Sequence, residues 1–267
     1  MGVSPHTAVA IAQIALFAPL APLTTYLLIR NWKYRPRTAW YPPAIFSLIR
    51  TAGGVVTIIE EQNPSKEIVI TTIILLNIGL IPLLLAYLGY ARLVLERDFG
   101  EITRVKLFLR ILKVMILIST GLLGAAGGDA GKPEKADEQA TLSRAAYALF
   151  VIVLVALIAS FVGLSLNLGQ IRRANRIYVK WALVAAVPLV VRAIYGILGV
   201  ALAAGVNIFT SDWSPLFGSA VAFGLMGLLP EFVVVCIYVY LSMHYLRTAK
   251  READVEGRSK QGLSDTS

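Results

Sequence analysis

Residues 227–238 read GLLPEFVVVCIY. Apart from Gly227, Pro230 and Glu231, every residue in the stretch is apolar or aromatic. Extended to about 218–245, the run matches a bilayer-crossing helix, which needs roughly 20 mostly apolar residues. Glu231 interrupts it with a carboxylate, one residue after a proline. An ionisable side chain at the bilayer centre costs roughly 2.5–3.5 kcal/mol on insertion scales, so such groups face the bundle interior and pair. The stretch therefore says that the chain lives in lipid, and that something inside the bundle answers Glu231.

Working outward, the whole chain has the same character. It has 267 residues, 57% of them hydrophobic and only 15% charged, with a mean hydropathy of +0.71. A soluble domain of this length keeps a more richly charged surface. The net charge of +9 falls mainly between apolar runs, which reads as membrane topology and not as a nucleic-acid footprint. A single cysteine, Cys236, and two distant histidines, His6 and His244, leave no disulfide framework and no metal or other cofactor to expect. The opening MGVSPHT has no Lys or Arg, so the first apolar run reads as a retained span and not a signal peptide.

Seven stretches qualify as spans: about 7–30, 39–60, 67–90, 106–127, 144–168, 181–204 and 218–245. Backbone groups in lipid must satisfy one another, so the spans are helices and the fold class is an all-α seven-helix membrane bundle. Residues 1–249 form this domain, and 250–267 read as a disordered cytoplasmic tail. Fifteen Lys and Arg lie in alternate connections and after span seven, against Lys66, Lys132, Lys135 and Arg144 on the other side. The positive-inside rule then puts the N-terminus outside and the C-terminus in the cytoplasm. Lys106, Arg110 and Lys113 open span four at i, i+4, i+7 and read as side chains snorkelling to the cytoplasmic headgroups.

Spans one to three and five to seven share short matches. Ile29 of IRNWKYRPR and Ile171 of IRRANRIYVK are 142 residues apart, as are Arg50 of SLIRTAGG and Arg192 of LVVRAIYG. GLIP from Gly79 and GLLP from Gly227 are offset by 148. The order suggests a 3+1+3 parallel repeat, an arrangement whose binding sites tend to lie at the midplane.

Four strongly polar residues share that depth: Arg50, Asn77, Arg192 and Glu231. Arg50, Gly54, Thr57 and Glu61 follow one helical stripe towards the outer mouth. Gly224, Gly227, Glu231, Tyr238 and Ser242 form a stripe on span seven, and Arg192 shares a face with Tyr195, Gly196 and Gly199. An internal salt bridge accounts for Glu231 with Arg50 or Arg192. Two midplane arginines against one glutamate leave a positive charge for Glu61, a carbonyl, water or an anionic ligand.

Several seven-helix classes are excluded. A retinal protein needs a lysine where Glu231 stands. The acid–Arg–Tyr and Asn-Pro-x-x-Tyr marks of common G-protein-coupled receptors are absent, as is a voltage sensor's repeated arginine. AVAIAQIALFAP, FSLIRTAGG, NIGLIPLLLAYLGY, VPLVVRAIYGILG and LPEFVVVCIYVYL together resemble a family of seven-helix membrane proteins from filamentous fungi, catalogued as a domain of unknown function. VRAIYG is more loosely similar to fungal RTA-type lipid-translocating and resistance proteins, a likeness that implies a transporter or sensor. The placement of Glu61 and Glu231 resembles the acidic pair of fungal membrane-bound terpene cyclases, although the surrounding motifs depart from that group.

The cyclase likeness carries the leading expectation, an enzyme of meroterpenoid secondary metabolism. A prenyl chain would enter from the bilayer, and Glu231 and Glu61 would supply the acid and base. Arg50, Asn77, Arg192, Tyr195 and Tyr238 would line the substrate site, with tyrosine faces shielding a cation. A nearby Arg50 or Arg192 opposes the acid role. This reading implies an endomembrane such as the endoplasmic reticulum, with the bilayer and a hydrophobic prenylated molecule as partners. The alternative is a small-molecule transporter or sensor with a charged midplane site.

Overall fold

The computed structural model describes residues 4–63, 65–99, 103–128, 133–202, 213, 216 and 218–264, and among these the chain is all-α with no strand. Seven segments are long and apolar enough to cross a membrane, from Pro5–Asn31 to Ala220–Ala249. They coincide with the seven spans expected from the sequence.

Three of the seven are not simple α-helices. Span one is α1 (Pro5–Phe17) followed by α2 (Leu20–Asn31), with the break at Ala18–Pro19. Span two is α3 (Tyr41–Gln62), continuous from its N-terminal prolines onward. Span three is α4 (Lys66–Asn77) and α5 (Leu80–Phe99), interrupted at Ile78–Gly79. Pro82 explains the interruption, because it has no N–H to donate to Ile78. The Ile78 carbonyl instead accepts from Ile81 N at 3.2 Å, a tighter turn.

Spans four to six are α6 (Thr103–Gly128), α7 (Ala136–Leu166) and α8 (Arg176–Leu202), the last with Pro188 inside it. Span seven opens with α9 (Ala220–Ala222) and a π-helical turn at Phe223–Leu228. It continues as α10 (Leu229–Ser264). Single π turns absorb one extra residue and recur at functional sites. This one ends two residues before Pro230, whose missing N–H already disrupts the α ladder.

Outward-facing Leu48, Val55, Leu117, Ile118, Val155 and Val187 are exposed. Such a coat is a liability in water and the norm in lipid. Inside lies a continuous core with Phe17, Phe46, Tyr87, Tyr90, Phe150, Phe161, Tyr178 and Tyr238 all nearly inaccessible. The most exposed span is α6.

The basic-rich connections gather at one end. The Tyr245 ring meets Trp40 at 4.9 Å and Tyr34 at 5.3 Å, and its hydroxyl accepts from Arg97 Nη2 at 2.8 Å. Asp98 accepts from Asn175 Nδ2 at 3.0 Å and pairs with Arg172 at 3.6 Å. The first, third and fifth connections and the end of the seventh span therefore share one face of the bundle. Helix α10 continues to Ser264, through most of the stretch expected to be a disordered tail.

Candidate functional site

Glu231 lies in the first turn of α10, fully buried. Its Oε1 accepts from Arg50 Nη2 on α3 and from Arg192 Nε on α8 at 2.6 Å. Arg50 is 0% and Arg192 1% exposed. One carboxylate oxygen thus joins spans two, six and seven at the core, with two positive charges and one negative.

The break in span three supplies the remaining geometry. The last carbonyls of a helix have no partner within it, and Leu76 O, in the last turn of α4, accepts from Arg50 Nη2 at 3.3 Å. Gly79 sits directly against the ion pair: a Cβ there would overlap both Glu231 Oε1 and Arg50 Nη2. Only glycine lets the backbone come this close. From α1, Gln13 Nε2 donates to the Arg50 carbonyl at 2.6 Å, which ties span one to the same point.

Aromatic faces surround the guanidiniums. Arg50 lies 5.5 Å from the Phe46 ring centroid and 6.0 Å from that of Phe223, in the π turn. Arg192 lies 5.7 Å from the Tyr195 ring. Tyr147 of α7 packs against Gly196, where a Cβ would overlap its ring. Arg50 Nε and Nη1, Arg192 Nη1, Glu231 Oε2 and the Tyr195 hydroxyl are buried without a hydrogen-bond partner among the described residues. Apart from Oε2, an acceptor, these are unmet donors around a net positive charge, suited to a hydrogen-bond-accepting or anionic group.

Of the residues singled out in the sequence, Arg50, Arg192 and Glu231 come together, with Tyr195 beside them. Tyr238 is buried but lies one layer away. Its hydroxyl donates to Leu83 O at 3.0 Å, while Tyr90 donates to the Tyr238 carbonyl at 3.0 Å. Glu61 is exposed in the last turn of α3, about 16 Å along the helix axis from Arg50 at 1.5 Å per residue. Asn77 ends α4 at the break, but its side chain lies outside the described residues. Gln13, Gly79, Phe223 and Tyr147 were not anticipated. Gly79 had entered only as the start of the GLIP match, and Gln13 left a trace as the one amide in the apolar run AIAQIALF.

Seven apolar helices closed around a buried Arg–Glu–Arg cluster at a broken helix define a multi-pass integral membrane protein. Residues 3–248 match the model of a domain of unknown function, DUF7702. The chain belongs to that family. No curated protein and no solved structure matches it.

Proposed function

We propose that this protein is a small-molecule transporter or sensor whose ligand engages the Glu231 cluster. The observation that carries the reading is the pairing of one carboxylate oxygen with two arginines beside a discontinuous helix. Broken helices of transporters present half-helix ends and unwound backbone to ligands at the membrane midplane. Here the break lets Leu76 O hold Arg50 in place and Gly79 lets the backbone lie against the ion pair. A ligand carboxylate or phosphate would meet the open donors of Arg50 and Arg192 and the Tyr195 hydroxyl. In doing so it would draw one arginine away from Glu231. Exchange of charge partners changes how spans two, six and seven are held together, which gives two discrete states.

The matched sequence segments support this reading. Arg50 and Arg192, 142 residues apart, meet on the same atom. The break at Ile78–Gly79 and the π turn ending at Leu228 fall before the matched prolines Pro82 and Pro230. The basic end of the bundle would face the cytoplasm, in a fungal endomembrane.

A terpene cyclase is the second reading, favoured by the aromatic faces of Phe46, Phe223 and Tyr195 around the cluster. Such faces would shield a carbocation. Two guanidiniums on Oε1 leave only Oε2 to carry a catalytic proton, and Glu61 would have to act from the mouth, so the geometry favours ligand binding. The two readings separate in one experiment. Purified protein in liposomes is assayed for uptake of, or thermal stabilisation by, small organic anions, and microsomes are incubated with an epoxidised prenyl-phenol. We expect anion-dependent stabilisation that Arg192→Gln reduces by about tenfold or more, equivalent to one lost charge-assisted hydrogen bond, and that Glu231→Gln, which removes the competing carboxylate, does not reduce. Cyclised product dependent on Glu231 would establish the cyclase instead.

A further inference from the structure

Away from the buried cluster, at the basic end of the bundle, a cavity of about 860 Å³ lies between α5 and α6. Six cationic side chains line it: Arg92 and Arg97 from α5, Lys106, Arg110 and Lys113 from α6, and Arg172 from the fifth connection. Its acids, Glu96 and Asp98, are already engaged. Glu96 Oε1 accepts from Arg92 Nε at 2.7 Å, and Asp98 is held by Asn175 and Arg172. Lys106, Arg110 and Lys113 have no ion pair among the described residues. The cavity therefore keeps a surplus of positive charge.

The placement of α6 makes that surplus specific. Leu109, Leu112 and Ile116 are buried against the bundle, while Leu107, Ile111 and Val114 are exposed to the outside. The three cations run along the seam between these faces. Lys113 stands ten residues into the helix, about 15 Å from its start at 1.5 Å per residue. A cation at that depth is costly unless it meets a counter-charge. Simple snorkelling would satisfy Lys106 but leaves Lys113 with the farthest reach.

We propose that this cavity binds the phosphate-ester headgroup of an anionic phospholipid, with more than one negative charge. The headgroup phosphates meet Arg110, Lys113 and Arg97, and the acyl chains lie along Leu107, Ile111 and Val114. Arginine pairs with phosphate through two parallel N–H bonds, and lysine as a compact point charge. The apolar stripe beside the cations favours a lipid over a free phosphate. Basic pockets between helices at the cytoplasmic surface are where anionic headgroups are recognised.

The test uses full-length protein in nanodiscs of phosphatidylcholine, with or without a phosphatidylinositol monophosphate, and free inositol bisphosphate as a separate arm. Binding of the inositol lipid is expected to saturate over the phosphatidylcholine background. Arg110→Gln with Lys113→Gln weakens it about thirtyfold, the loss of two near-surface cation contacts. Lys180→Gln, an exposed cation outside the cavity, changes it by less than about twofold. Undiminished binding in the double variant, or equal loss in Lys180→Gln, overturns the site. Binding of free inositol bisphosphate as tightly as the lipid would overturn the lipid as occupant and assign a soluble phosphate. Native mass spectrometry of the wild-type protein is independent of any variant's folding. Retained anionic phospholipid is expected, and retention of zwitterionic lipid alone overturns the proposal.

Discussion

At the scale of single residues, the buried cluster concentrates its stability in very few atoms. Removing one partner of a buried ion pair strands the other and costs about 3–5 kcal/mol. Glu231→Ala strands two guanidiniums and is expected to lower the thermal unfolding midpoint in detergent by the largest margin of any single substitution at the site. Gly79→Ala is expected to be comparably damaging although it adds only a methyl group, because that carbon has no space beside Glu231 and Arg50. Tyr195→Phe makes a useful contrast. Its hydroxyl has no partner among the described residues, so its loss leaves the unfolding free energy within about 1 kcal/mol of wild type. It weakens ligand response if the hydroxyl belongs to the binding site. Unchanged stability together with unchanged ligand response would remove Tyr195 from the site.

At the scale of elements, the important features are departures from the regular helix. Pro82 and Pro230 each remove one backbone donor, and the chain adapts differently to each. Span three breaks and turns at Ile78–Gly79, whereas span seven widens into a π turn. Both adaptations bring irregular backbone next to Glu231. The tyrosines then clamp α5 to α10, with Tyr90 donating to the Tyr238 carbonyl and Tyr238 to that of Leu83. Tyr90→Phe and Tyr238→Phe are each expected to cost about 1 kcal/mol in chemical unfolding. Tyr238→Phe is expected to leave ligand response intact, because its hydroxyl points to backbone and not to the cluster. Loss of response without loss of stability would return Tyr238 to the site.

At the scale of the whole molecule, the basic connections meet at one end and the apolar coat surrounds the rest. Cysteine labelling in a Cys236→Ala background checks the orientation that the charges imply. In sealed vesicles or intact cells, Lys33→Cys and Arg173→Cys are expected to react only from the cytoplasmic side and Lys135→Cys only from the opposite side. Labelling of Lys33 and Lys135 from the same side would overturn the seven-span arrangement. The cluster itself was half legible beforehand. Arg50, Arg192 and Glu231 stood out because a charge in an apolar run is rare and expensive. Gln13 stood out less, since one amide in a span has many bland explanations. Tyr147 and Phe223 gave no signal, because aromatic residues are ordinary core material until their neighbours are known. Glu61 shared a helical stripe with Arg50, but a shared stripe says nothing about depth along the axis, and the structure places it exposed near the end of α3.

The sequence by itself determined that the chain is a seven-helix membrane protein and that Glu231 must be answered inside it by Arg50 or Arg192. Hydropathy and the cost of charge in hydrocarbon are local properties, readable residue by residue. Only the tertiary structure decided that both arginines share a single carboxylate oxygen, that Gly79 lies against it, and that Lys106, Arg110 and Lys113 line a cavity with Arg92, Arg97 and Arg172. Those facts depend on how seven helices pack, on where two prolines break them, and on contacts between residues as many as 181 positions apart.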